Sequence, residues 1–199
     1  MCIRDRYADL LVRTTDGLFG EHLRPMRQSI RSLNKSKREL KNLRRRETLC
    51  LRRAEPPVAG IRLSTNFHLI HNSLRQMLYG LIRIAEPAYE HVDNHFSPID
   101  ATFAARYTKL RTEFTELIAE IAGNFRNQRS EDNDALMARC SEIRSELHNL
   151  GQEIGVAIQT TDVNLTAITL MLHLVQETEQ LLVEVKELLK NTKLYREMV

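Results

Sequence analysis

Apolar residues return at every third or fourth position through four stretches of roughly 25–32 residues, with very little punctuation. That spacing puts one apolar stripe along each of a few long helices. The chain has 7 Gly and 5 Pro in 199 residues, no Trp, and 6% aromatics. A sandwich or barrel needs a turn about every 8–12 residues and strands rich in aromatic and β-branched side chains, so both are disfavoured. At 42% hydrophobic, the chain can bury a core. Short connections between long amphipathic helices make sequential neighbours antiparallel. The expected fold is all-α, an up-down antiparallel bundle of about five helices.

The first helical stretch runs from Asp9 to about Arg53, and Pro25 is expected to divide it into a short helix and a longer one. In the longer part, Met26, Ile30, Leu33, Leu40, Leu43 and Leu49 form a thin stripe between basic faces. Glu55 to Gly60, with two prolines and a glycine, is the clearest break. A second helix is expected from Ser64 or Thr65 to about Asn94–Phe96, kinked at Pro87. Ser97-Pro98-Ile99-Asp100 reads as a helix start with Ser97 as N-cap. The third helix carries Phe103, Tyr107, Leu110, Phe114 and Leu117 and fades from Gly123. Ser130 to Asp132 open a fourth, its end weakened by Gly151 and Gly155, and a fifth spans Asp162 to Lys193. No repeat of fixed period is visible.

The modest net charge of +3 conceals an asymmetry. Residues 24–53 hold twelve Lys or Arg against Glu39 and Glu47, a net +10, so the other 169 residues carry −7. Such a segment suits an anionic partner: a phospholipid surface, nucleic acid, or the acidic remainder of the same protein. It has no aromatic side chain for stacking on bases, which disfavours nucleic acid. Cys2, Cys50 and Cys140 are widely spaced and form neither a zinc framework nor a disulfide scaffold. The longest uncharged run in an apolar segment, between Asp162 and Glu177, is fourteen residues. A bilayer span needs about 20. The opening MCIRDR resembles an adapter-derived prefix on genes assembled from mixed DNA, and no apolar segment of a signal peptide follows it. The expected organisation is therefore a non-native prefix at 1–6, a basic helical segment at 7–55 and a helical bundle at 61–199, the whole being the tail of a longer chain.

Enzyme signatures are missing: there is no GxGxxG, P-loop, GxSxG or HExxH, and no His has Glu three residues before it, as a di-iron bundle requires. The protein is therefore not expected to be an enzyme. The densest chemical cluster is Glu86-Pro87-Ala88-Tyr89-Glu90-His91-Val92-Asp93-Asn94-His95. His91 and His95 share one helix face, and neutral imidazoles bind divalent and transition metals. Glu86, Glu90 and Asp93 share another face, so one regular helix cannot aim both sets at one ion. Two readings stand. One is an anion or metal site completed by a neighbouring helix. The other is a polar helix end with solvated acids and a histidine bonded to a loop. His68 and His71, three apart, admit the same choice between ligands and structural groups.

The string Arg75-Gln76-Met77, then Ile84 to Asn94 with its Pro-Ala-Tyr-Glu-His-Val-Asp-Asn core, resembles the cytosolic tails of bacterial inorganic phosphate transporters of the phosphate permease family, notably those of Bacteroidetes. Leu170-Met171-Leu172-His173-Leu174-Val175-Gln176-Glu177-Thr178 and the run around Leu33-Asn34-Lys35 resemble further elements of those tails. The chain departs from the pattern in having one Asn before His95, and in Ala88 and Gln76. The resemblance implies a PhoU-like helical bundle attached to a membrane transporter domain of the same parent chain. It implies a regulatory role at the cytoplasmic face of the inner membrane, with the basic residues 24–53 against anionic lipid, and it leaves a homodimer open. It also implies a divalent or transition metal held by Glu90, His91 and Asp93. The alternatives are a free-standing PhoU-type, metal-dependent adaptor in phosphate signalling and a basic nucleic-acid-binding protein.

Overall fold

A computed structural model of the chain describes residues 3–51, 57–126, 133–160 and 164–196. Six helices occupy them: α1 (Ile3–Phe19), α2 (Leu23–Leu51), α3 (Pro57–Asp93), α4 (Ala101–Arg126), α5 (Asn133–Thr160) and α6 (Leu165–Arg196). The count is six, where about five were expected. The stretch from Asp9 to Arg53 holds two substantial helices, of 17 and 29 residues.

The break between them lies at Gly20–His22, ahead of Pro25. There the Glu21 N–H donates to Leu18 O and the His22 N–H to Gly17 O, while Glu21 takes φ 54°. This is the Schellman arrangement, which satisfies the last carbonyls of a helix by turning one residue left-handed. Pro25 is the third residue of α2, where a backbone N–H would have no intrahelical partner, so it breaks nothing.

The expected break at 55–60 is corrected in the same way. Glu55 and Pro56 lie outside the described residues, but Pro57 starts α3, and Gly60 is inside it. Proline is favoured at a first helical position because its ring presets φ. Ser130 to Asp132 and Asp162 also lie outside the described residues. Gly151 and Gly155 do not end α5, which runs on to Thr160. A Cβ at Gly151 would make ordinary contact with Val175 of α6, at 3.5 Å. Ser97 does not cap α4 either. The cap is Asp100, whose Oδ1 accepts the N–H groups of Thr102 and Phe103 at 2.9 and 3.1 Å.

α3 continues through Pro87 to Asp93. Proline in mid-helix leaves the carbonyl four residues back without its donor. Here that carbonyl belongs to Arg83, and His173 Nε2 of α6 donates to it at 2.9 Å. A neighbouring helix thus supplies the bond that proline removes. His173→Leu is expected to lower stability by about 1 kcal/mol, the usual net worth of such a bond, measurable as a shifted urea midpoint.

α1, α2 and α3 pack against one another, and so do α4, α5 and α6. The two three-helix units meet through α3 against α6 and α1 against α4. Neighbours run antiparallel, as the pairs Arg27–Tyr89 and Lys37–Tyr79 show for α2 and α3, and Arg106–Glu153 and Arg139–Glu120 for α4 and α5. A single buried cluster draws on all six helices, from Tyr7 and Leu11 through Met26, Met77, Leu117 and Leu147 to Leu174 and Leu182. α2 and α5 are the outer helices, each touching only the other two members of its own unit. Cys140 is buried in α5, and burial pushes its thiol up to about 11. No helix among the described residues is long and apolar enough to cross a membrane.

Candidate functional site

The acid-histidine cluster forms the C-terminus of α3, and most of its members have structural partners. His95 takes φ 54°; its N–H donates to Val92 O and the Phe96 N–H donates to His91 O. That is a second Schellman cap, with His95 at the left-handed position. Its hydrophobic contact is supplied by the His91 and Phe96 rings, whose centroids are 5.5 Å apart. His91 is buried, and its Nε2 bonds Ser97 O at 2.9 Å. The ring thereby fastens the helix end to the chain leading to α4.

Asp93 faces the other way. Tyr89 Oη donates to Asp93 Oδ1 at 3.2 Å, and Arg27 of α2 donates through Nε to Tyr89 Oη at 2.9 Å. The Arg27 guanidinium also lies 5.6 Å from the Tyr89 ring centroid and 3.6 Å from Asp93. This Arg–Tyr–Asp triad clamps the start of α2 to the end of α3. Glu86 and Glu90 are exposed. Glu90, His91 and Asp93 therefore do not converge: one is exposed, one turns inward to a loop carbonyl and one turns to Arg27. Among the described residues, no group of three His, Cys, Asp or Glu side chains is placed to hold a metal ion. The residues present do not fit the implied metal. His71, also buried, bonds Leu40 O at 3.0 Å and stacks on Phe67, while His68 is exposed.

A cleft of about 280 Å³ opens beside this helix end, between the Pro98–Phe103 turn and the first turns of α6. Its Asp100 and Asn164 are both engaged as helix caps. Asn164 Oδ1 accepts the Ala167 N–H at 3.1 Å, and its Nδ2 donates to Ser97 Oγ at 2.9 Å. The remaining lining is apolar, so the cleft joins elements and offers little to recognise a polar ligand.

The polar groups that the sequence reading passed over lie in the seam between the two units. Arg83 of α3 pairs with Glu177 of α6 at 2.7 Å. Arg111 of α4 is buried, donates to Thr15 Oγ1 at 2.6 Å and also meets Asp16 of α1. Tyr107 donates its hydroxyl to Thr178 Oγ1 at 2.8 Å, and Thr178 in turn donates to Leu174 O. A signal for Arg111 existed in the periodicity. Tyr107, Arg111 and Phe114 are spaced four and three apart, which places the arginine on the core-facing stripe.

The architecture is a class in itself: two antiparallel three-helix units side by side, sharing one core through their first and third helices. No family model matches the sequence, and no curated protein matches it. Among solved structures the chain is similar to PhoU from Pseudomonas aeruginosa, with a TM-score of 0.84 at 8% identity over 99% of this chain and 93% of that one. The likeness establishes a PhoU-like fold.

Proposed function

We propose that this chain is a regulatory module of phosphate homeostasis and acts as the PhoU-like domain of an inorganic phosphate transporter. The observation that carries the reading is the whole-chain likeness to PhoU, joined to the Pro-Ala-Tyr-Glu-His-Val-Asp-Asn string at the end of α3. The two are independent, since one is a likeness of backbones at 8% identity and the other a likeness of sequence. The module works by protein contact; no residue of it needs to touch translocated phosphate. A free-standing signalling adaptor of the same class is the second reading. It rests on the same structural match. The metal implied for Glu90, His91 and Asp93 enters neither reading.

The deciding experiment has two arms. The reading frame upstream of residue 7 in the source genome should encode hydrophobic spans; a frame without them leaves the free-standing adaptor. Deleting the coding region for α1–α6 in the source organism should then alter radiolabelled phosphate uptake. Unchanged uptake at both low and high external phosphate would overturn both readings.

A further inference from the structure

We propose that the outer face of α2, with the tip where α2 and α3 meet, binds an anionic lipid surface directly. The argument starts from position. Among the described helices α2 touches only α1 and α3, so no other described element covers its outward side. Arg24, Arg31, Lys35, Arg38, Arg45 and Arg46 all lie on that side and are exposed. At 100° per residue they fall within an arc of about 100°, opposite the buried Met26, Leu33 and Leu40. Arg24 to Arg46 spans about 33 Å along the axis.

This face is not neutralised internally. Glu39, an α2 carboxylate, is engaged by Arg6 of α1. Arg27 is turned to Tyr89 and Asp93. None of the six cations has an ion-pair partner among the described residues. The face is therefore available to an external anion along its whole length, and a straight row of cations matches a flat surface of lipid headgroups.

The tip separates a bilayer from a nucleic acid. Leu49, near the end of α2, is 58% exposed, and Ile61, near the start of α3, is 67% exposed. The antiparallel pairing of these helices brings the two to the same end of the molecule, next to Arg45 and Arg46. Exposed aliphatic side chains flanked by cations suit the headgroup–acyl boundary, where the apolar groups enter and the charges meet headgroups. A duplex offers no such apolar layer, and the face carries no aromatic ring to stack on bases.

The inference does not depend on the phosphate reading, and its test contains no phosphate. The whole chain is floated with phosphatidylcholine vesicles and with vesicles one-third phosphatidylglycerol. Binding is expected only to the anionic vesicles, and to vanish near 1 M salt, where the Debye length falls to about 3 Å. The triple variant Arg31→Gln, Arg38→Gln, Arg45→Gln should weaken partition roughly 150-fold, at about fivefold per charge. Leu49→Ser with Ile61→Ser should weaken it at unchanged charge. All five positions are exposed, and circular dichroism confirms that the variants fold. Equal binding to both vesicle types overturns the proposal, as does binding indifferent to the triple variant. Duplex DNA or RNA bound as tightly at the same salt, with the Leu49 and Ile61 substitutions silent, assigns the face to nucleic acid instead. Self-association lost in the triple variant, without vesicle binding, assigns it to a second copy.

Discussion

Leu182→Ala is expected to destabilise the protein by about 2–5 kcal/mol, the range for deleting a buried leucine side chain. Leu182 is 0% exposed and belongs to α6, the helix that packs on α3, α4 and α5. Its loss removes a side chain from the buried cluster that all six helices share, and close-packed neighbours refill such a cavity only in part. For a chain of this length the thermal midpoint should fall by roughly 4–20 °C. Because one buried cluster runs through all six helices, the transition should stay single and cooperative. Leu194→Ala, at a site 45% exposed, should change stability by less than about 0.5 kcal/mol. Urea denaturation of both variants, followed by circular dichroism, checks the contrast. A small effect for Leu182 would mean that the core around it is looser than its burial indicates.

The all-α class was legible because a repeat of three and four positions is a property of each helix alone. The stripes through Met77, Leu81 and Ile84, and through Leu110, Phe114 and Leu117, are core in the structure. Local signals failed where a distant residue decided the outcome. Pro87 removes a backbone donor from α3, and only the placement of His173, 90 positions from Arg83, shows where the freed carbonyl finds another. Pro25 and Pro57 look like breakers until the helix starts are fixed at Leu23 and Pro57, which makes both prolines first-turn residues. The division into two units was invisible because it resides in which helices touch, and the sequences of the two units share no period.

The acid-histidine string was conspicuous for its chemistry, and the structure shows much of that chemistry closing a helix. His95 takes the left-handed position, which histidine tolerates better than most non-glycine residues. His91 and Phe96 provide the contact that accompanies it. Polar residues at a helix end and polar residues in a binding site have the same composition. They are told apart by whether their donors and acceptors face one another or a common empty point. The converse case is Arg111, a charged residue on a core-facing stripe, which is buried at the joint of α1 and α4.

The seam offers a second measurement with a large expected effect. Tyr107 and Thr178 are both 0% exposed, and the tyrosine hydroxyl relies on the threonine oxygen as its acceptor. Thr178→Val should cost about 1–3 kcal/mol, since it leaves the tyrosine hydroxyl buried without an acceptor. Tyr107→Phe should cost less, about 1 kcal/mol, because Thr178 keeps its bond to Leu174 O. The double variant should recover part of the Thr178→Val loss, and the resulting cycle gives the coupling. Burial also pushes the Tyr107 hydroxyl up to about 12 from an ordinary 10.0, against smaller opposing effects of the Thr178 bond and the Arg111 charge. Burial likewise raises Tyr7. A raised acid keeps its proton in the folded state after the unfolded chain has released it. Its contribution is therefore intact below pH 10 and is lost as the pH climbs towards 12. Each such tyrosine adds a slope of about 1.4 kcal/mol per pH unit in that window. Urea midpoints measured across it should fall steeply for the parent protein and less steeply for Tyr107→Phe. Equal slopes would mean that the Tyr107 hydroxyl reaches solvent and that the two helical units part more readily than their packing implies.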